Sequence, residues 1–418
     1  MTGCAATGRW RRFGGIVRHP PAAMLEQISP LAGALIEEAR RDMGPGEPVD
    51  HHVHIAGTGM GLRRICPQIP MPGVWLNPDY RSWRHPVCRL KMSLFFSATG
   101  VDGWDDADAQ YVERLLELVR TSGLGGTYFL YALDWRYERP PADRIPNRKK
   151  TDLFVDNDYV ITLARWLNEQ DTGGARFVPV ASVHPYRHDA LEVLAVLAAK
   201  GVRHIKWLPP AQNIDPACEL IRPFYRALRE LGFILMSHTG NEHTLRVRDV
   251  DQDLADPLRL AQALEEGVTV VMLHAGREGI ERAPGPDGQR RSYAKRFFAM
   301  MKRYPSNLFG EISAIPYLGT HRLFEDLVAD PDICRRLVNG SDYPTPAIPA
   351  IDPTARLLRA GYLGDEGERG GEAAKERKAA LAEIRCCNPL LFDFVLKRTL
   401  RLNGRRLPRS VFQALPSE

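Results

Sequence analysis

No CxxC pair occurs in this 418-residue chain, and its seven cysteines (Cys4, Cys66, Cys88, Cys218, Cys334, Cys386 and Cys387) are odd in number and scattered. That argues against a thiolate zinc site and against a disulfide framework, so a reducing cytoplasm is the expected setting. No apolar run approaches the 18 or so residues needed to span a bilayer, and no membrane association is expected. An excess of one charge is also missing: 56 basic residues against 51 acidic ones leave a net charge of only +5. Ten of those basic residues are lysine, and the arginines are spread along the whole chain rather than gathered in a stripe. Nucleic acid is therefore not an expected partner. The N-terminus is basic (Arg9, Arg11, Arg12, Arg18), but Pro20 and Pro21 arrive before any apolar segment, so no twin-arginine leader is expected.

What is present is the composition of an ordinary globular protein, 44% hydrophobic and 26% charged. From residue 48 a unit recurs: a short apolar, β-branched run, a turn, then a longer segment with helical spacing. The runs cover 48–55, 127–133, 177–183, 202–208, 233–239, 268–274, 308–314 and 336–342. Near-continuous apolar strands alternating with amphipathic helices such as 189–200 and 224–231 predict a parallel sheet covered by helices. Eight units with no sign of a second sheet predict an α/β fold, a closed (β/α)8 TIM barrel, with the segment around 376–402 as its last helix.

Three stretches exceed the bare barrel. Residues 56–108, rich in Pro, Gly, Trp and Arg, form a long insertion after strand one, far beyond the usual loop of 2–6 residues. Residues 277–294 are a polar loop after strand six, and 361–375 read as a connector. The first two lie at C-terminal strand ends, where barrel enzymes build their sites. The expected organisation is an N-terminal extension over 1–46 with a helix at 22–42, a barrel over 47–403 and a tail over 404–418.

Strand alternation places Asp50, His52 and His54 on one face of the first strand and His51 and Val53 on the other. Twelve histidines in 418 residues make about 0.3 His-x-His pairs by chance, so this pair alone carries little. The other strands add the weight. His238 ends FILMSH, His274 ends VTVVMLH and Asp342 ends RLVNGSD, each an ionisable group where an apolar strand stops. Nitrogen and carboxylate donors without a thiolate suit Zn2+ first, with Mn2+ or Fe2+ as alternatives, and leave a position open for water.

Asp50-x-His52-x-His54, His238 in SHTG, His274 in LHAG, Asp342 in GSDYP and the closing NPLLFDF resemble the amidohydrolase superfamily. The likeness is strongest to its amidohydrolase-related branch, which includes aminocarboxymuconate-semialdehyde decarboxylase, and covers about residues 48–400. It implies that His52, His54, His238 and Asp342 bind a divalent metal, that Asp342 also serves as a base, and that His274 is a catalytic or second-metal histidine. One or two ions are allowed. Lys206, ending the fourth strand with His204 on its face, has three readings: a carboxylated bridge between two metals, a free amine at the site, or a side chain snorkelling to solvent.

Further candidates are His184 at the end of strand three, Glu311 on strand seven, and Arg63, Arg64, Arg81 and Arg84 with Trp75, Tyr80 and Trp83 in the first insertion. Arg63, Arg81 and His184 are the expected substrate contacts, arginine being suited to a carboxylate or phosphate. The leading expectation is hydrolysis: an activated water attacks an amide, lactone or ester carbon of a small, carboxylated molecule, with Asp342, His274 and Lys206 as catalytic groups. A decarboxylase using the same ligands, with a first-loop arginine on the leaving carboxylate, is the alternative. A third reading is a ligand-keeping barrel that only binds. A homodimer is compatible with the sequence.

Overall fold

The computed structural model describes residues 20–44, 47–140, 144–277, 291–314, 316–317, 325, 327–364, 371–401 and 404–415. The basic terminus (1–19), most of the loop expected after strand six (278–290), part of the connector (365–370) and the last three residues lie outside the described residues.

Among the described residues ten strands follow one another: β1 (Val49–His54), β2 (Val74–Leu76), β3 (Thr127–Tyr131), β4 (Leu153–Val155), β5 (Arg176–Val180), β6 (His204–Trp207), β7 (Ile234–Gly240), β8 (Thr269–Arg277), β9 (Leu308–Glu311) and β10 (Leu337–Val338). Eight of them are the expected apolar runs. They pair in parallel as β1-β3-β5 and as β6-β7-β8-β9-β10. Two short links close the ring. Ala181 bridges Ile205, with Lys206 N–H donating to the Ala181 carbonyl at 2.7 Å. Val53 bridges Tyr343, with His54 N–H donating to the Tyr343 carbonyl at 3.0 Å. The fold is therefore the closed eight-stranded barrel. The remaining strands, β2 and β4, form an antiparallel pair outside it that the periodicity did not reveal.

The two faces of each strand meet different surroundings. Phe129, Tyr131, Val180, Met236, Val271 and Leu273 pack together inside the barrel. Ile205, Trp207, Leu235, Val270 and Met272 turn outward and join the apolar faces of the helices. Ala190–Ala199 buries Ala190, Leu194 and Leu197, and Arg222–Glu230 buries Phe224, Tyr225 and Leu228, which is the i, i+3/i+4 spacing of a packed helix.

The closing segment is two helices, Gly371–Cys387 and Pro389–Thr399, rather than one. Pro389 cannot continue a helix and drives Asn388 into an extended conformation (φ −152°), from which its side chain caps the Leu391 N–H. The described part of the N-terminal extension, from residue 20, packs on the barrel as two helices, Pro21–Leu25 and Pro30–Arg40, in place of the one expected over 22–42. Helix Pro30–Arg40 buries Leu35 and Ile36 against the two closing helices, and Arg398 donates to the carbonyls of Ala39 and Arg41. Among the described residues no helix is long and apolar enough to cross a membrane.

The insertion after β1 folds back over the C-terminal mouth of the barrel. Its helix Pro86–Thr99 is tied to the loop after β7 by Lys91 Nζ, which donates to the His243 carbonyl at 2.7 Å.

Candidate metal centre

The first strand does not alternate as its sequence implies. Asp50 pairs with Tyr128 and Val53 with Leu130, so His51 and His52 together face the single residue Phe129. This is a β-bulge, in which one extra residue reverses the side-chain parity beyond it. Asp50 and Val53 face outward, whereas His51, His52 and His54 all face inward. His51, expected in the helix layer, instead stacks on the interior Phe129 at 4.8 Å, with its Nδ1 3.0 Å from the Asn339 carbonyl. Asp50, expected on the inner face, accepts the N–H groups of His52 (3.0 Å) and Ser341 (2.7 Å), fastening β1 to the end of β10.

Above the bulge three potential ligand atoms converge. His52 Nε2 lies 3.1 Å from His54 Nε2, and Asp342 Oδ1 lies 3.0 Å from His54 Nε2 and 3.3 Å from His52 Nε2. Ligands 2.0–2.2 Å from one tetrahedral ion stand about 3.3–3.6 Å apart, so the trio is spaced within a few tenths of an ångström of a metal site. Their chemistry fits too. Burial, reinforced by the Lys206 ammonium, holds the His52 ring well below the usual histidine range and therefore neutral. Burial works to raise the Asp342 carboxyl, but His52, His54 and Lys206 outweigh it and keep it below the usual carboxylate range.

Two more imidazoles border this group. The His274 ring is 5.0 Å from that of His52 and 4.7 Å from that of His238. Both are buried, and burial lowers both, His238 to about 4. His238 does not join the converging trio, because its Nε2 is turned to the Gly240 carbonyl at 3.0 Å. His274, Ala275 and Asp342 adopt left-handed backbone (φ 63°, 52° and 56°), which L-residues accept only at a cost and which clusters at functional sites.

Lys206 lies in the same cavity, fully buried, with Nζ 4.6 Å from the Tyr131 ring centroid. Burial pulls its amine down to about 7 against the attraction of Asp342, Glu311 and Glu242. Its burial removes the reading in which it snorkels to solvent. His204, one turn of the pleat below, is set edge-on against Phe129 at 4.9 Å. Glu311 is buried beneath the trio and raised to about 7 by burial, with Lys397 pulling the other way.

The cavity holds about 160 Å3. His54, Lys206, His238, His274 and Asp342 form its floor, with Tyr131, Glu242 and Arg277 beside them and Phe95, Leu133, Leu245 and Ile348 as an apolar wall. The three expected substrate contacts are elsewhere. His184 is sandwiched by Tyr137 and Tyr186, accepts the Tyr186 N–H at Nδ1 and faces the Gln212 carbonyl with Nε2 at 2.9 Å. Both ring nitrogens are used by backbone, so it is a structural histidine outside the cavity wall. Arg63 and Arg81 are exposed, Arg81 lying over the Trp104 ring at 5.0 Å, and neither lines the cavity. The insertion presents its arginines to solvent and its Phe95 to the cavity, since apolar surface gains more from burial than a guanidinium does.

Sequence reasoning missed Arg277, Glu242 and Tyr131. Tyr131 had a signal, since Thr127, Phe129 and Tyr131 share one face of β3. Arg277 and Glu242 follow His274 and His238 by three and four residues and had none.

A family description of amidohydrolases matches residues 149–369. No curated protein matches. Among solved structures, an uncharacterised TIM-barrel protein from Bordetella bronchiseptica is similar at 17% identity and a TM-score of 0.46, over 81% of this chain and 99% of that one. A putative 2-pyrone-4,6-dicarboxylic acid hydrolase from Pseudomonas putida is similar at 17% identity and 0.39, over 84% and 98%. The 5-carboxyvanillate decarboxylase of Sphingomonas paucimobilis is similar at 10% identity and 0.37, over 80% and 98%.

Proposed function

This chain belongs to the amidohydrolase family, and from that premise we propose that it is a metal-dependent hydrolase of a small organic molecule with a carbonyl-bearing bond. The observation that carries the reading is the convergence of His52 Nε2, His54 Nε2 and Asp342 Oδ1 within 3.0–3.3 Å of one another, with His54 and Asp342 lining the floor of a cavity and His52 buried behind them. Three potential ligand atoms so close together in a buried site are well placed to share a cation. Their nitrogen and oxygen chemistry favours Zn2+, with Mn2+ or Fe2+ next. His52, His54 and Asp342 would hold the ion, with His238 and His274 as further donors at its border.

When bound, such an ion supplies Lewis-acid polarisation and lowers the pKa of water towards neutrality. The chain's own groups do the rest. Asp342, kept ionised, accepts the proton of the attacking water through the carboxylate and returns it to the leaving amine or alkoxide. Thr345 Oγ1 donates to Asp342 Oδ2 at 3.0 Å and orients the carboxylate so that Oδ1 faces the two rings. Lys206 and Arg277 give the floor positive charge suited to a substrate carboxylate, and Phe95, Leu133 and Leu245 exclude water above it. The decarboxylase alternative relied on a first-loop arginine to hold the leaving carboxylate, and Arg63 and Arg81 are both outside the cavity.

Protein purified without added metal should contain close to one equivalent of a divalent ion, and His52→Asn should lose most of it. It should hydrolyse one class among lactones, esters and amides. Finding carbon dioxide release from aromatic carboxylates, with no hydrolysis, would turn the reading to decarboxylation.

A further inference from the structure

Glu311 does not line the cavity, yet it touches His52, a member of the converging trio, and His274 at its border. It is completely buried, at the end of β9. Its Oε1 accepts the Ser313 N–H, and its Oε2 accepts the His274 N–H at 3.2 Å. These donors are backbone groups with no alternative role, so each oxygen accepts one, and with the carboxylate ionised neither has a proton to give. Oε2 also lies 3.3 Å from His52 Nδ1 and accepts the Ser313 hydroxyl at 2.8 Å. The Ser313 oxygen is in turn 2.9 Å from His274 Nδ1.

The protons in this cluster can be counted. A hydroxyl carries one proton, and Ser313 spends it on the carboxylate, so its oxygen must accept from His274 Nδ1. His52 Nδ1 faces the same acceptor oxygen directly and must donate as well. The neutral imidazole has only one N–H, and in both rings it is thereby placed on Nδ1. We propose that Glu311 is a positioning residue that sets the tautomer of two histidines, His52 directly and His274 through Ser313, so that both present an Nε2 lone pair to the centre. Gly340 leaves the room for this arrangement. A Cβ there would stand 2.5 Å from Glu311 Oε1 and 2.6 Å from the His52 Cβ. His52, His274 and Glu311 also lie close enough to be mistaken for a metal group of their own. The donors already directed at Glu311 make it a hydrogen-bond hub instead.

This inference rests on reading His52 as a metal ligand, but the tautomers can be read without metal. In metal-free protein labelled with 15N-histidine, the His52 and His274 rings should show the Nδ1–H tautomer, as should His51, whose Nδ1 faces the Asn339 carbonyl; the signals of the first two are assigned by their loss in His52→Asn and His274→Asn. In Glu311→Gln the His52 ring should leave that state, and Zn2+ affinity measured by competition with a chromophoric chelator should fall about 10- to 100-fold. Ser313→Ala should move the His274 ring and leave the His52 ring where it was. That split is one a general loss of packing would not produce. If Glu311→Gln does not fold, Ser313→Ala decides by itself: an unchanged His274 tautomer overturns the inference. A folded Glu311→Gln with wild-type Zn2+ affinity and both Nδ1–H rings intact overturns it too, while leaving the metal centre standing. A wild-type chain that takes up no Zn2+ removes the hydrolase reading, and the ring tautomers are then still decided by the metal-free spectra.

Discussion

Replacing Lys397 with methionine should destabilise the protein from a position that touches no substrate. The Lys397 side chain is fully buried in helix Pro389–Thr399, and its Nζ has three partners: Asp393 Oδ2 at 2.6 Å, the Gly340 carbonyl at 2.6 Å and Asn339 Oδ1 at 3.2 Å. Methionine fills the space of the stem but leaves a buried carboxylate without its cation and two acceptors without a donor. Breaking a buried pair in this way costs about 3–5 kcal/mol. An unfolding entropy of about 2.1 cal/mol/K per residue makes roughly 0.9 kcal/mol/K for a chain of this length, so the melting temperature should fall by about 3–6 °C.

The loss should depend on pH with a definite sign. Burial already raises the Asp393 carboxyl to about 7 against the pull of Lys397, and without the lysine it rises further. A carboxyl whose folded pKa exceeds its unfolded value binds an extra proton in the folded state. Stability then falls as pH climbs between the two values. The deficit of Lys397→Met should therefore grow as pH climbs above about 7, where the wild-type carboxyl ionises beside its lysine, and level off at a smaller value below it. Adding Asp393→Leu removes the stranded charge and should recover more than half of the loss at pH 8. Thermal unfolding of wild type, single and double variants at pH 6 and 8 tests all of this. A single variant that melts within 1 °C of wild type at pH 8, or a double variant no better than the single, refutes the reasoning.

Three further outcomes are expected. Asp342→Asn should lose at least about 100-fold in kcat on whichever substrate is found, while keeping much of its metal, because it retains one ligating oxygen but not the base; near wild-type turnover would falsify the assigned role. His184, held down to about 3 by burial, is neutral in the fold but takes up a proton once unfolded, so stability drains away as pH falls from about 6.5 towards 3, by on the order of 3–5 kcal/mol in full. His184→Gln should flatten that acid limb in pH-dependent melting and leave metal content unchanged. Phe95→Ala should raise KM about 5- to 30-fold, equivalent to roughly 1–2 kcal/mol of lost apolar contact, with no change in bound metal; equal loss of metal would mean that the insertion holds the centre rather than covering it.

The barrel was legible in the sequence because its signals are local. Each parallel strand is buried on both faces and so reads as an apolar run, and each helix shows its own period, whatever lies next to it. His238, His274 and Asp342 stood out for the same reason: an ionisable group at the end of such a run is visible without knowing its neighbours. The structure shows that those strand ends share one cavity.

What only the tertiary structure decided depends on pairing between distant residues. The bulge that turns both His51 and His52 inward exists because β1 must match β3 on one side and the end of β10 on the other, and strand parity read from β1 alone assigns His51 and Asp50 to the wrong faces. The insertion declared its length and its arginines, but which of its faces meets the cavity depends on how it packs on the loop after β7, so Phe95 replaced Arg63 and Arg81. Glu311 was a single acidic residue on a strand. Its place at the hub follows from hydrogen bonds to β1 and β8, 259 and 37 residues away, distances at which sequence spacing carries no geometric information.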